Sequence, residues 1–450
     1  MAIEKIKGGA GEPFRAPSKT TPTGVSPVFS RTARFRRETT DRLLALFSLY
    51  GYREIILPSF EYLDAISPGI DPSLLPRLYL MQDRGSGQVL VLRPDATAQI
   101  ARLSTQSFRD RMLPLRFSYS TSVFRDENRT ASLMRELHQT GLELLGDPSF
   151  HADMEVLELC LRGARVFPLE NPLLVLSHAG LQEAYLRSPS LSRESQASLR
   201  KAFHARDQAT VAGLFSEVGD EARAALAPGI AGRVLSLADA LVILESMART
   251  IPGLSGHDGG ISDFSALLRA LSKTREASDI RVDFALSPPG PYYTGMFFRM
   301  FARESSTHMA SGGRYDRLGE AFGHDLPAVG FAYQITPIEE AIRRRDGDLQ
   351  ESSLVLVIHC DEEIADFEPA IAALRSGKVP VLSSHSPKGA LSFSPAEALR
   401  EHEEIRAVLC KDRDEKDLFT LVYRDRSVRR SKDVGELVSA LLDGPPGSSR

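Results

Sequence analysis

A long β-hairpin spanning residues 116–146 limits this chain's fold more than any other stretch. Its second arm reads RELHQTGLELLG. Period-two alternation sets Leu137, Gln139, Gly141, Glu143 and Leu145 on one face, and His138, Thr140, Leu142 and Leu144 on the other. Gln139 and Glu143 thus flank a glycine, and a glycine inside a strand often marks close approach by a ligand or another backbone. A carboxylate on such a floor is costly if buried unpaired, so a ligand with an N–H donor or a positive charge is its natural partner. Taken alone, the strand equally allows a solvated hairpin face with a bulge glycine.

Upstream lies VLRPDATAQIARL. Arg93 and Pro94 end a strand-like run, Asp95 to Thr97 form a polar turn, and a helical pattern follows from Ala98. Asp95 can accept from an ammonium group while the Thr97 hydroxyl donates and accepts, a pairing suited to the amino group of an amino acid. The same Asp-x-Thr also reads as a plain helix N-cap. The first hairpin arm, LRFSYSTSVFRDEN, ends in Arg125 before the polar connection 126–131, where a guanidinium can reach a carboxylate or phosphate. Downstream, PYYTGMFFRMF carries Tyr292 and Tyr293 before a turn and a strand. HMASGGRYDRLGEAFG is expected to hold a Gly312-Gly313 turn opening a helix. Adjacent tyrosines also read as packing, half core and half rim.

LRPDATAQIARL, FRDEN, RELHQTGLELLG, YYTG, GGRYDRLGEAFG and LPAVGFA occur in the order and spacing of the class II histidyl-tRNA synthetase catalytic domain. Over residues 25–340 the chain resembles that family, and more closely its non-aminoacylating branch, the ATP phosphoribosyltransferase regulatory subunits. The resemblance implies that a histidine amino group is held by Asp95, Thr97 and Gln139. It assigns the imidazole to Glu143 and the pair Tyr292 and Tyr293, and matches Arg125 to the arginine of motif 2, which contacts ATP in the synthetases.

Three departures separate the two branches. Synthetases of this kind carry an Arg-Gly-Leu-Asp stretch before the paired tyrosines, whereas this chain has Pro288-Pro289-Gly290-Pro291. Where their third motif ends in an ATP-binding arginine, this chain has Pro337. Thr336-Pro337-Ile338-Glu339 reads instead as a capping box with proline at the first helical position. Asp95 stands where synthetases have glutamate. Adenylyl transfer depends on positioned positive charge, and losing two such arginines costs several kcal/mol of transition-state stabilisation.

At 450 residues the chain can form two or three domains. Cys160, Cys360 and Cys410 sit widely spaced in apolar runs and read as buried thiols, with neither disulfide nor metal spacing. No apolar run reaches membrane-spanning length and the N-terminus lacks a hydrophobic signal core, so a cytoplasmic protein with a flexible tail over residues 1–24 is expected. Residues 30–50 read as a helix with Leu43, Leu46, Phe47 and Tyr50 on one stripe and Gly51 as its stop. The strand REIILP follows; it resembles class II motif 1, a dimer-interface element in that family. A helix is read over 153–166, and a helical insertion over 177–273, whose His178 and His204 have no partners at ligand spacing.

Past the charged segment 343–351, strands and helices alternate through residues 352–443, indicating a small α/β domain. Its order resembles the anticodon-binding domain of histidyl-tRNA synthetases. Over residues 351–450, however, 14 lysines and arginines stand against 18 aspartates and glutamates, a balance that argues against tRNA reading. Arg424, Arg426, Arg429 and Arg430 read as a solvated edge or a local phosphate patch.

The expectation is an α+β protein: a class II synthetase-like antiparallel sheet with a helical insertion, and a small C-terminal α/β domain. By resemblance it is a non-catalytic regulatory subunit that binds L-histidine as feedback signal at the first step of histidine biosynthesis and needs no cofactor or metal. The resemblance further implies a homodimer, joined with a catalytic ATP phosphoribosyltransferase in a hetero-octamer. A divergent histidyl-tRNA synthetase is the alternative.

Overall fold

The computed structural model describes residues 21–108, 111–126, 134–251, 260–288, 290–303, 305, 307–346, 354–359, 364–385, 395–401, 405–412, 415 and 417–442. Most of the expected tail, most of the 126–131 connection, Pro289 and Cys360 lie outside these residues. The chain divides into two compact units, Met1–Gly347 and Asp348–Arg450. Among the described residues no helix is long and apolar enough to cross a membrane.

The first unit opens with α1 (Ser30–Ser48), β1 (Arg53–Glu54), β2 (Phe60–Tyr62), α2 (Leu63–Ile66), β3 (Leu80–Gln82), β4 (Val89–Leu92) and α3 (Ala96–Gln106). The hairpin β5 (Leu115–Phe124) and β6 (Glu136–Leu145) follows, then α4 (Phe150–Ala164) and β7 (Leu173–His178). The insertion comprises α5 (Ala179–Leu186), α6 (Arg193–His204), α7 (Gln208–Glu217), α8 (Glu221–Ile230), α9 (Leu237–Thr250) and α10 (Ile261–Leu271). The unit closes with β8 (Ile280–Val282), β9 (Met296–Phe301), β10 (Ala310–Arg314), β11 (Ala328–Gln334) and α11 (Ile335–Asp346).

Eight of these strands form one sheet in the order β1-β5-β6-β11-β10-β9-β7-β8, antiparallel through its centre and parallel at both edges. Alternation sorts its two faces. Leu142, Leu144, Phe331 and Tyr333 face one way, where the Phe47 ring of α1 meets Phe331 edge-on at 5.9 Å and the Tyr333 hydroxyl donates to the Cys160 carbonyl of α4. The other face carries Phe117, Tyr119 and Ala332, packed with Ala96 and Ile100 of α3. Gly51 adopts φ +82°, the left-handed stop expected after α1. The strand read in REIILP is shorter than expected: only Arg53 and Glu54 pair with β5, followed by a single bond from the Ile55 N–H to the Ser118 carbonyl.

Two local expectations fail for long-range reasons. Gly312 and Gly313 do not turn; both lie inside β10, between β9 and β11. A Cβ on Gly313 would lie 2.6 Å from the Phe297 Cα, so close strand approach demands the glycine there. The capping box does not form either. The Thr336 hydroxyl accepts from the His138 N–H of β6 at 2.9 Å, and Glu339 pairs with Arg36 of α1 at 2.6 Å.

The second unit runs β12 (Leu354–His359), α12 (Ile364–Ser376), β13 (Val381–His385), α13 (Pro395–Glu401), β14 (Ile405–Lys411), β15 (Phe419–Tyr423), β16 (Val428–Ser431) and α14 (Val434–Leu442). Its sheet, ordered β13-β12-β14-β15-β16, is parallel in the first three strands and antiparallel beyond. Phe367, Leu374, Leu437 and Leu441 cover one face, Ala398 and Leu399 the other. Strand β16, absent from the sequence reading, carries Arg429 and Arg430 on the exposed sheet edge, where Arg430 pairs with Asp412 at 3.1 Å.

Candidate functional site

Two cross-strand rows of the large sheet form the floor of the site. One runs Tyr119, Gly141, Ala332, Ser311 and Arg299 across β5, β6, β11, β10 and β9. The other lies two residues along each strand, hence on the same face, and runs Phe117, Glu143, Gly330, Gly313 and Phe297. Small residues in the middle of both rows leave depth, and a cavity of about 380 Å³ opens there. Asp95, Thr97, Arg125, Gln139, Glu143, Tyr292 and Tyr293 all line it. Seven residues from four separated segments of the sequence therefore meet at one place.

Glu143 is the deepest of them, at 1% exposure. Its carboxylate accepts from the Thr97 hydroxyl at 2.7 Å and from the Tyr315 hydroxyl. Burial pushes the group up to about 8, against the opposing pull of those two hydroxyls. The glycine beside it answers to its neighbours: a Cβ on Gly141 would lie 2.9 Å from the Tyr119 hydroxyl and from the Ala332 Cα. Space over the floor is thus set by a tyrosine and an adjacent strand.

Asp95 caps α3, which begins two residues earlier than the sequence pattern indicates, and accepts from the Thr97 N–H at 2.7 Å. Its other oxygen is 3.9 Å from the Arg125 guanidinium, whose Nε donates to the Pro94 carbonyl. The capping role and the site position coexist in one residue. Gln139 donates to the Gln334 side chain at 3.0 Å, which holds its amide in place. Tyr292 and Tyr293 stack at 4.8 Å, and the Tyr315 ring stands edge-on to both, forming an aromatic wall beside Glu143.

Lining residues that sequence reasoning missed include Arg77, Tyr119, Arg299, His308 and Tyr315. Tyr119 was legible as the cross-strand partner of Gly141, and Arg299 as the sole charge in FFRMF. Tyr315 was hidden by reading the preceding glycines as a turn. With Arg77, Arg125 and Arg299, the cavity carries three arginines even though Pro337 occupies its rim. Burial, then Arg299 and Arg125, pull His308 down to about 4, so its ring is neutral at pH 7.

The two insertion histidines serve structure. His178 caps α5, its Nδ1 accepting from the Leu181 N–H, and the His204 ring bonds the Ala285 carbonyl at 3.2 Å. Cys160 is buried and Cys410 half-buried, and among the described residues neither is in a disulfide. No group of His, Cys, Asp and Glu able to hold a metal ion occurs among the described residues.

The histidyl-tRNA synthetase family profile matches residues 24–338. The chain is 32% identical over 328 residues to the ATP phosphoribosyltransferase regulatory subunit of Anaeromyxobacter dehalogenans strain 2CP-C, covering 72% of this chain and 92% of that one. It is 31% identical to the regulatory subunit of Moorella thermoacetica, covering 69% and 79%. The chain belongs to the histidyl-tRNA synthetase-like family of ATP phosphoribosyltransferase regulatory subunits. Among solved structures, an ATP phosphoribosyltransferase regulatory subunit/histidyl-tRNA synthetase from Bacillus halodurans superposes with a TM-score of 0.72 at 22% identity, covering 88% of this chain and 99% of that one. Histidyl-tRNA synthetase from Nostoc sp. PCC 7120 gives 0.74 at 17% identity, covering 95% and 99%. At those identities the structures speak to the fold alone, which is the class II synthetase-like fold.

Proposed function

We propose that this regulatory subunit binds L-histidine in the cavity between α3, the β5–β6 hairpin and the tyrosine pair, and performs no chemistry of its own. The observation that carries the reading is the buried Glu143 carboxylate, held by two hydroxyls beside an aromatic wall. Such a floor is matched to a planar ring with an N–H donor. Asp95 and Gln139 lie on the same lining and supply acceptors for an amino group. Phosphate chemistry has less support, because Pro288, Gly290 and Pro291 precede the tyrosines and Pro337 sits at the start of α11.

The names of the relatives extend the reading to a partner. The chain joins a catalytic ATP phosphoribosyltransferase subunit at the first step of histidine biosynthesis, supports its activity and transmits histidine inhibition to it. By the same resemblance the assembly is a hetero-octamer. Histidine can inhibit only by binding the inhibited complex more tightly, and the partner's substrates then weaken histidine binding by the same factor.

Calorimetry with L-histidine and with Mg-ATP tests the reading. Histidine binding without ATP binding supports it. Tight Mg-ATP binding together with tRNA charging would establish a synthetase instead.

A further inference from the structure

Among the described residues, nothing answers the charge of Arg299. It sits on β9, in the row that crosses Ser311, Ala332 and Gly141, so it points into the same cavity as Glu143. Its Nε is buried without a hydrogen-bond partner, and among the described residues nothing accepts from its guanidinium. Other half-buried arginines of this unit are answered: Arg36 by Glu339, Arg116 by Glu155, Arg314 by Asp153, and Arg93 by three backbone carbonyls. Burial lowers Arg299 from its ordinary value, and among the described residues Tyr293 is the group that opposes it. A guanidinium N–H removed from water without an acceptor is a cost that a bound anion would offset.

Asp95 already has Arg125 beside it at 3.9 Å, whereas Glu143 and Arg299 face the cavity from different strands, with the neutral His308 also on the lining. Glu143 on β6 and Arg299 on β9 are three strand spacings apart, about 14 Å between backbones, and both side chains reach inward over a floor of glycine, alanine and serine. A small zwitterion fits that span, with its amino and ring N–H groups toward the acids and its negative end toward the arginine. We propose that Arg299 binds the carboxylate of the amino acid held in this cavity and so determines that the site takes an amino acid and not the corresponding amine or alcohol. This rests on the proposed histidine site.

The test is calorimetry of the full-length protein with L-histidine and with histidinol, which keeps the ring and amino group but has no carboxylate. For the wild-type protein, histidine should bind more tightly than histidinol. Arg299→Gln should weaken histidine about 10- to 100-fold while leaving histidinol unchanged, the scale of one charge-assisted hydrogen bond. Arg299→Lys should recover part of the histidine affinity, and it supplies the comparison should the glutamine variant fail to fold. Arg299→Gln should also raise the melting temperature of the ligand-free protein, since a half-buried charge without an acceptor among the described residues is removed. If the wild type binds histidine and the variants bind it equally well, or lose histidinol in proportion, the assignment of Arg299 is overturned and the histidine site stands. If the wild type binds neither ligand, the site reading and this inference fail together.

Discussion

Gly330 and Glu143 are direct cross-strand partners, and a Cβ on Gly330 would fall on the Glu143 carboxylate itself. The position that allows the carboxylate its place is therefore on the neighbouring strand. Gly330→Ala should displace Glu143 from the Thr97 and Tyr315 hydroxyls and cost about 1–3 kcal/mol of stability, as overpacking does in a tight core. Chemical denaturation reads the stability, and a histidine titration should lose affinity in the same variant. An unchanged protein would mean the sheet opens locally to admit the methyl group.

The carboxyl of Glu143 also sets a pH dependence. Folding raises it to about 8, whereas the unfolded chain releases that proton near 4.3. Its contribution is therefore complete below about pH 4 and is lost as pH rises through 8. Buried His178 and half-buried His138 and His308, each held down to about 4, act in the opposite direction and weaken the fold as pH falls below their ordinary value near 6.5. Glu143→Gln removes only the first effect. Its stability advantage over the wild type should grow by at least about 1 kcal/mol between pH 5 and pH 9 in urea unfolding, and parallel curves would show that Glu143 ionises freely.

Glu143→Ala should cost about 1–3 kcal/mol of histidine affinity, the penalty for leaving the ligand's N–H unanswered in a buried site. Fold stability should change little or rise, because a buried acid is relieved. Calorimetry and thermal melts separate the two effects. Normal histidine binding by the variant would reduce Glu143 to a structural strand residue.

What could be read from the sequence was mostly local and periodic. Alternation in RELHQTGLELLG places Gln139 and Glu143 on the cavity face, and the Asp-x-Thr turn is both a cap and part of the lining. Contacts between distant segments were not legible. Gly312 and Gly313 look like a turn because their requirement comes from Phe331 and Phe297 on flanking strands. Thr336 and Glu339 look like a capping box because Arg36, 303 positions earlier, cannot be anticipated from local pattern. The small sheet β2-β4-β3 is built from three- and four-residue strands, and β2 and β3 are largely exposed, so little alternation is present to detect.

That long-range ion pair is itself testable. Glu339 is buried, and Arg36 of α1 is its bidentate partner at 2.8 and 2.6 Å. Arg36→Met leaves a buried carboxylate unanswered and should cost about 1–3 kcal/mol. Adding Glu339→Gln should recover part of that loss, which a double-mutant cycle measures as coupling. Additive losses would show that α1 and α11 are held by packing alone.

The last prediction concerns self-association at the β1 edge of the large sheet. Strand β1 is only two residues long and pairs on one side alone, with β5. Apolar side chains flank it in the open: Leu49 at 82% exposure, Ile56 at 89%, and Met112, just before β5, at 91%. An exposed sheet edge lined with large apolar groups is a liability that proteins cover, and a two-fold dimer is the commonest closed way to cover it. The full chain should therefore sediment as a dimer, and Ile56→Asp with Leu49→Asp should shift it toward monomer. Because both side chains are already exposed, the circular dichroism of the variant should match the wild type, which separates a lost interface from a lost fold. A wild type that sediments as a monomer at micromolar concentration would leave this edge for the catalytic partner, and mixing the two proteins on a sizing column would then show whether the same double substitution abolishes the larger species.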